Sequence, residues 1–147
     1  MEIRTFREED RGAVIELWRE CRLIRPQNDP NKDIDRKMAF QPDLFLVAED
    51  SGEVVGAVMV GYEGHRGAIN YLAVRPDCQR KGYGRAIMQA AVTKLKALNC
   101  PKVNLLVRTS NPNVIEFYNS LGFEMDDVYS LGLRLEFDQP TETTSAG

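Results

Sequence analysis

Apolar positions recur along this chain with two different periods, and each change of period marks an element. Residues 2–6 alternate in steps of two, with Ile3 and Thr5 on one side and Arg4 on the other, as in a half-buried strand. From Val14 the spacing turns helical: Val14, Ile15, Leu17, Trp18 and Cys21 share a face, behind a Glu8-Glu9-Asp10 run where a helix start favours negative charge. A polar connector with two prolines, residues 22–31, leads to a second helix predicted over 32–40, with Ile34, Met38 and Ala39 or Phe40 inward. Residues 44–48 and 53–62 read as strands joined by a tight hairpin at Asp50-Ser51-Gly52.

The stretch 68–98 organises the rest. It begins as a strand carrying Ile69, Tyr71, Leu72 and Val74, turns at Arg75-Pro76-Asp77, and crosses Gln79-Arg80-Lys81-Gly82-Tyr83-Gly84. From Arg85 the period is helical, with Ile87, Met88, Ala91, Leu95 and Leu98 on one face. Asn99 suits a left-handed cap, and Pro101 stops the helix. Residues 103–107 form a nearly unbroken apolar run, the pattern of a strand buried on both faces. Asn111-Pro112 predicts the cap and first turn of a short helix ending at Gly122. Residues 123–128 and 131–137 are then predicted as two closing strands, and 139–147 as a disordered tail. The resulting order, β, α, α, β, β, β, α, β, α, β, β, is mixed α/β, and its length predicts one domain over residues 1–138.

Composition narrows the class. With 43% hydrophobic and 28% charged residues, the chain is ordinary for a soluble globular protein, and a net charge of −3 argues against nucleic acid as the main partner. No apolar run is long enough for a membrane span, and Glu2, Arg4, Arg7 and Glu8 do not suit a signal peptide. Cys21, Cys78 and Cys100 are odd in number and lack metal-ligand spacing, so no metal site is expected; the thiols read as reduced, in a cytoplasmic protein.

The Gly-rich loop carries the chemistry. A loop that opens a helix points unpartnered N–H groups one way, at the positive end of the helix dipole, and so makes an anion site. Gly82 and Gly84 let backbone approach closely, and Arg80, Lys81 and Arg85 add positive charge. A Walker A loop fails, because Arg85-Ala86 follows Gly84 where lysine and a hydroxyl belong; a dinucleotide fingerprint fails, because Ile87 stands where its third glycine belongs. The pattern Gln/Arg-x-x-Gly-x-Gly/Ala after a strand fits at Gln79, Gly82 and Gly84.

With the strand YLAV before QRKGYG, an amphipathic helix after it, and RTSNPNVIEFYNSLGF downstream, residues 2–137 resemble the GNAT superfamily of N-acetyltransferases, most of all its small bacterial YpeA group. The resemblance implies a twisted, mixed, mostly antiparallel sheet of about seven strands, splayed between the fourth and fifth and flanked by about four helices. It implies an acetyl-CoA-dependent N-acetyltransferase that moves an acetyl group directly to a primary amine of a small molecule, an amino acid or a peptide N-terminus. A non-catalytic acyl-CoA-binding or regulatory module is the alternative. Coenzyme A contacts are implied at Leu72, Ala73 and Val74, at Gln79, Arg80, Lys81, Gly82, Tyr83, Gly84 and Arg85, and at Asn111 and Tyr118. Leu72 and Val74 also read as plain core, and Asn111 as a helix cap.

Tyr118 corresponds to the family's general acid near the acetyl-CoA sulfur, and also reads as a buried tyrosine beside Val114 and Leu121. The glutamates that some relatives use as base fall here at Ala68 and Leu106, so Glu63, His65, Asn70 and Tyr71 are the alternative proton routes. His65 equally reads as part of a turn. Trp18, Arg22, Arg25, Asn28, Asp29 and Lys32 are candidates for the acceptor site. Either a monomer or a homodimer is compatible with this reading.

Overall fold

Ser51 and Gly52 both sit at positive φ, 54° and 80°, as the two central residues of a hairpin turn of this hand require. They join β2 (Phe45–Asp50) to β3 (Glu53–Tyr62), the two strands at the centre of the fold. The computed structural model describes residues 1–138, and in it one five-stranded sheet runs in the order β1-β2-β3-β4-β5, with β1 at Glu2–Thr5, β4 at Gly67–Val74 and β5 at Val103–Leu105. The β1–β2, β2–β3 and β3–β4 pairs are antiparallel, and β4–β5 is parallel. The crossover between β4 and β5 carries α3 (Tyr83–Ala97).

Helices cover both faces. Alternation along β2 sends Leu46 and Ala48 to one face, with Ile87, Met88, Ala91 and Leu95 of α3. It sends Phe45 and Val47 to the other, with Val14, Leu17 and Trp18 of α1 (Arg11–Glu20) and Ile34 of α2 (Pro30–Phe40). On that second side Phe6 stacks on Phe45 at 4.4 Å between ring centroids, and Trp18 lies 6.3 Å beyond. Asp10 is buried, held at 2.8 Å by Arg4, and thereby ties the entry of α1 to β1. It also accepts from the Arg7 N–H, so this acidic group pairs locally as well as facing a helix start.

Several boundaries differ from the sequence expectation, each for a local reason. Helix α2 starts two residues early, because the Asp29 side chain accepts from Asn31 N–H at 2.9 Å and Pro30 occupies the first turn. Phe40 is exposed, and Lys37 takes a buried place on the helix instead. Leu98 is not inward: it caps α3 and is half-exposed, while Asn99 is left-handed at φ 63°, as expected. The cap of α4 (Val114–Ser120) is Asn113 rather than Asn111.

The larger correction concerns the end of the sheet. Strand β5 stops at Leu105, and Leu106 is 81% exposed, so the 103–107 run is not buried on both faces. The two closing strands are not formed: among the described residues, no backbone group of 124–138 bonds another backbone group, and a strand exists only as part of a ladder. Five strands, not seven, make the described sheet. The expected tail at 139–147 lies outside the described residues.

Candidate active site

The sheet opens between β4 and β5. Their ladder pairs Gly67 with Val103, Ala68 with Asn104 and Ile69 with Leu105, and goes no further. On its other edge β4 also leaves register: Ala73 pairs with Ala57 and Asn70 with Met59, so Tyr71 and Leu72 face Val58 alone. Such a bulge bends a strand and re-aims its side chains. Tyr71 sits at φ 55°, uncommon for a bulky residue, and a strained backbone of this sort collects at functional sites.

A cleft of about 1400 Å³ fills the opening. Asn70, Tyr71 and Leu72 line one side, and Leu106, Asn111 and Tyr118 the other. Arg22, Arg25 and Asn28 of the connector, with Asp33, Arg36 and Lys37 of α2, close a third side.

Inside the cleft the polar groups are held in place. Tyr71 Oη donates to Asp33 Oδ2 at 2.6 Å, and its ring stacks on Trp18 at 3.9 Å. Burial, reinforced by the Asp33 carboxylate, raises the Tyr71 phenol well above its ordinary pKa. Lys37 Nζ donates to Val60 O and lies 3.4 Å from Gln41 Oε1; burial lowers its pKa to about 8. Tyr118 is mostly shielded by Phe117 and Phe123, whose rings meet it edge-on at 5.1 and 5.7 Å. Burial raises its pKa too, and among the described residues its hydroxyl bonds no other protein group.

The Gly-rich loop follows β4 through a short turn at Pro76–Cys78. Arg80 and Gly82 are both left-handed, at φ 68° and 83°, and Gly82 caps α3. Consecutive residues of alternating hand gather their N–H groups into a concave nest. Among the described residues, no protein group accepts a hydrogen bond from the N–H of any residue from 80 to 85, and Arg80 and Lys81 are in no ion pair. Gly84 has a packing reason as well: a Cβ there would lie 3.3 Å from Phe117 Cζ. That contact joins loop to cleft, since the next residue, Tyr118, lines the cleft wall.

Not every sequence candidate faces this space. Gln79 turns its side chain back to donate to Val74 O at 3.0 Å, and Cys21 Sγ reaches the same oxygen at 3.2 Å, so that carbonyl is already occupied. Tyr83 Oη is held by Asp50 at 2.6 Å, and Arg85 by Ser120 Oγ at 3.0 Å, leaving their backbones to the loop. Arg75 is braced by Asp77 and Glu53. Trp18 is fully buried in the core; Asp29 caps α2, and Lys32 points at the Asp138 carbonyl. Arg22, Arg25 and Asn28 do line the cleft, as do Asn70 and Tyr71, whereas Glu63 and His65 sit in an exposed turn and Cys78 is buried elsewhere.

Sequence reading missed Asp33, Arg36 and Lys37. Their i, i+3, i+4 spacing puts three charges on one face of α2, a signal that was available. Among the described residues there is no group of His, Cys, Asp and Glu placed to hold a metal, and no helix is long and apolar enough to cross a membrane.

Comparison with known proteins places this geometry. Residues 11–123 match the profile of the acetyltransferase (GNAT) family. An acetyltransferase of Sodalis glossinidius is 54% identical over 140 residues, which is 95% of this chain and 99% of that protein. Among solved structures, Ard1 from Thermoplasma volcanium superimposes with a TM-score of 0.77 at 27% identity, over 85% of this chain and 83% of its own. PaiA N-acetyltransferase from Thermoplasma acidophilum, solved in complex with coenzyme A, shares the fold at a TM-score of 0.75 and 20% identity, over 87% and 92% of the two chains.

Proposed function

Because the chain belongs to the GNAT family of acetyltransferases, we propose that it moves an acetyl group from acetyl-CoA directly to a primary amine of a small molecule, an amino acid or a peptide N-terminus. The observation that carries this reading is the run of N–H groups from 80 to 85, which have no protein acceptor among the described residues and open α3 beside the cleft.

The residues present fit coenzyme A. The 80–85 amides and the free cations Arg80 and Lys81 would hold its diphosphate, at the helix end where anions are favoured. Gly82 supplies the left-handed turn there without strain. The backbone at Leu72 and Ala73, where β4 leaves the parallel ladder, and the Asn111 side chain would take the amide-bearing arm. Of Val74, only the N–H side remains for such a contact, since its carbonyl already accepts twice. When bound, the cofactor supplies an acetyl thioester, which an amine attacks readily.

The other duties fall to this chain's side chains. Tyr118, kept protonated by burial and otherwise unpartnered among the described residues, donates its proton to the departing sulfur. A bulge N–H near Leu72 steadies the developing oxyanion. Asp33, fixed by Tyr71 and facing the cleft, receives the incoming ammonium and draws off its proton through water. That route asks little of the protein for an α-amine, which ionises near pH 7.7–8 in any case.

The test is thermal unfolding with and without acetyl-CoA, paired with thiol release across a panel of amines. Acetyl-CoA is expected to raise the Tm, and Gly82→Val, which crowds the left-handed cap, to abolish the rise. An unchanged wild-type Tm would overturn the diphosphate site; protection without turnover on any amine would overturn the transfer.

A further inference from the structure

The charge inside the cleft opposes the charge of the chain. The protein carries a net −3, yet among the described residues Arg22, Arg25, Arg36, Lys37 and Arg108 line the cleft against one carboxylate, Asp33. A concave surface of one sign concentrates ligands of the other. Two of these cations are already engaged. Arg36 holds Asp138 with both ends of its fork, at 3.1 and 2.5 Å, and Lys37 donates to Val60 O. Among the described residues, Arg22, Arg25 and Arg108 are in no ion pair. Arg108 stands three residues before Asn111, on the cofactor's wall of the cleft. Arg22 and Arg25 belong instead to the connector that leads from α1 to α2 and Asp33.

The local structure holds this pair of arginines in place. Arg22 fills the left-handed position that ends α1: its φ is 60°, its N–H reaches Arg19 O at 3.0 Å, and Leu23 N–H reaches Trp18 O at 2.9 Å. Glycine is the ordinary occupant of that position, because a side chain there costs strain. The turn itself has no need of an arginine; the cleft wall gains a cation from it. Arg25, partly buried, donates from Nη1 to Arg22 O at 3.1 Å. That bond pins one corner of its guanidinium and leaves Nε and Nη2 with no protein acceptor among the described residues. Such a fork meets a carboxylate or a phosphate with two parallel bonds. We propose that the acceptor is a primary amine that also bears an anionic group, a carboxylate or a phosphate, with its ammonium on Asp33 and its anion on Arg25 and Arg22. This rests on the transfer reading above, whose acceptor it specifies. A neutral amine would leave the two guanidiniums unmatched as the cleft fills, and a polyamine would add repulsion.

Thiol release on matched amines tests it: amino acids against their carboxamides, and phosphoethanolamine against ethanolamine. The members of a pair differ in amine basicity, so the preference in kcat/KM is compared between wild type and variants. Arg25→Gln is expected to cut the preference for the anionic member about 10- to 100-fold, mainly through KM. Arg22→Gly, at a more exposed cation, should cut it roughly 3-fold. Glycine suits the left-handed turn, so the second variant keeps the fold. The pair that shows the fall tells carboxylate from phosphate. A preference that both variants keep overturns the proposal and leaves the transfer reading intact. Turnover of no amine would sink the transfer reading instead, and melts with coenzyme A present then decide the anion site. There the anionic member of a pair is expected to raise the Tm of the wild type and not that of Arg25→Gln. Equal shifts in the two proteins, or none, overturn it.

Discussion

The β2–β3 side of the sheet and the β4–β5 side are both rich in apolar strand residues, yet they do opposite things. Across β2 and β3 the ladder holds from Phe45–Met59 to Asp50–Glu53 with one small shift, and Phe45, Leu46, Val47 and Ala48 have almost no exposed surface. Across β4 and β5 only three pairs form, a bulge lifts Tyr71 and Leu72 off the opposite ladder, and among the described residues no strand pairs with the outer edge of β5. One side spends its backbone groups on the fold. The other leaves them free beside a cleft that holds a buried phenol, a carboxylate–phenol pair and several cations. The contrast teaches that stability and chemistry are separable here, and it can be broken by substitution on either side.

The largest effect is expected on the closed side. Phe45→Ala removes a ring stacked on Phe6 and fully buried against Trp18, and should cost about 3–5 kcal/mol in denaturant unfolding. A loss under about 1 kcal/mol would mean that this face is not the sealed core it looks to be.

Next comes Tyr118→Phe, on the open side. Its hydroxyl bonds nothing in the described protein, so stability should hold within about 0.5 kcal/mol. Turnover should fall about 10²-fold, near 2.7 kcal/mol of barrier, while acetyl-CoA protection in the melt is kept. Because burial raises the wild-type phenol above its usual value, its ionisation should not limit the rate below about pH 10. Unchanged turnover would remove Tyr118 from the chemistry and leave it as packing.

What was legible in sequence was what short-range chemistry decides. The Ser51-Gly52 turn, the left-handed Asn99 and the period change into α3 need only their neighbours. The family match bears out the acetyltransferase reading that the loop first suggested. The Asp29-Pro30 cap is equally local, but it reads as a plain turn until Asn31 N–H is seen on the aspartate. What stayed hidden depends on residues far apart in the chain. Asp33 meets Tyr71 only because α2 packs over the bulge, and nothing in the spacing of 38 residues announces it. The 131–137 alternation reads as a strand too, but among the described residues its backbone joins no ladder; pairing with a distant strand is what spacing alone cannot supply.

The smallest expected effect lies on the border between the two sides. Lys37 hangs from α2, donates to Val60 O on β3, and is buried with no ion pair among the described residues. Burial lowers its pKa from 10.5 to about 8. Between those values the folded chain has released the proton and the unfolded chain still holds it, so stability should rise with pH across that window. Below about pH 8 both states are protonated, and the folded state carries the whole cost of a buried cation. Lys37→Met keeps the length and removes the charge, so the variant should gain on the wild type at pH 7 and lose that advantage by pH 10. Denaturant midpoints at the two pH values measure the difference directly. Parallel curves would mean that Lys37 is solvated through the cleft mouth, and that the closed side of the sheet ends one strand earlier than its burial suggests.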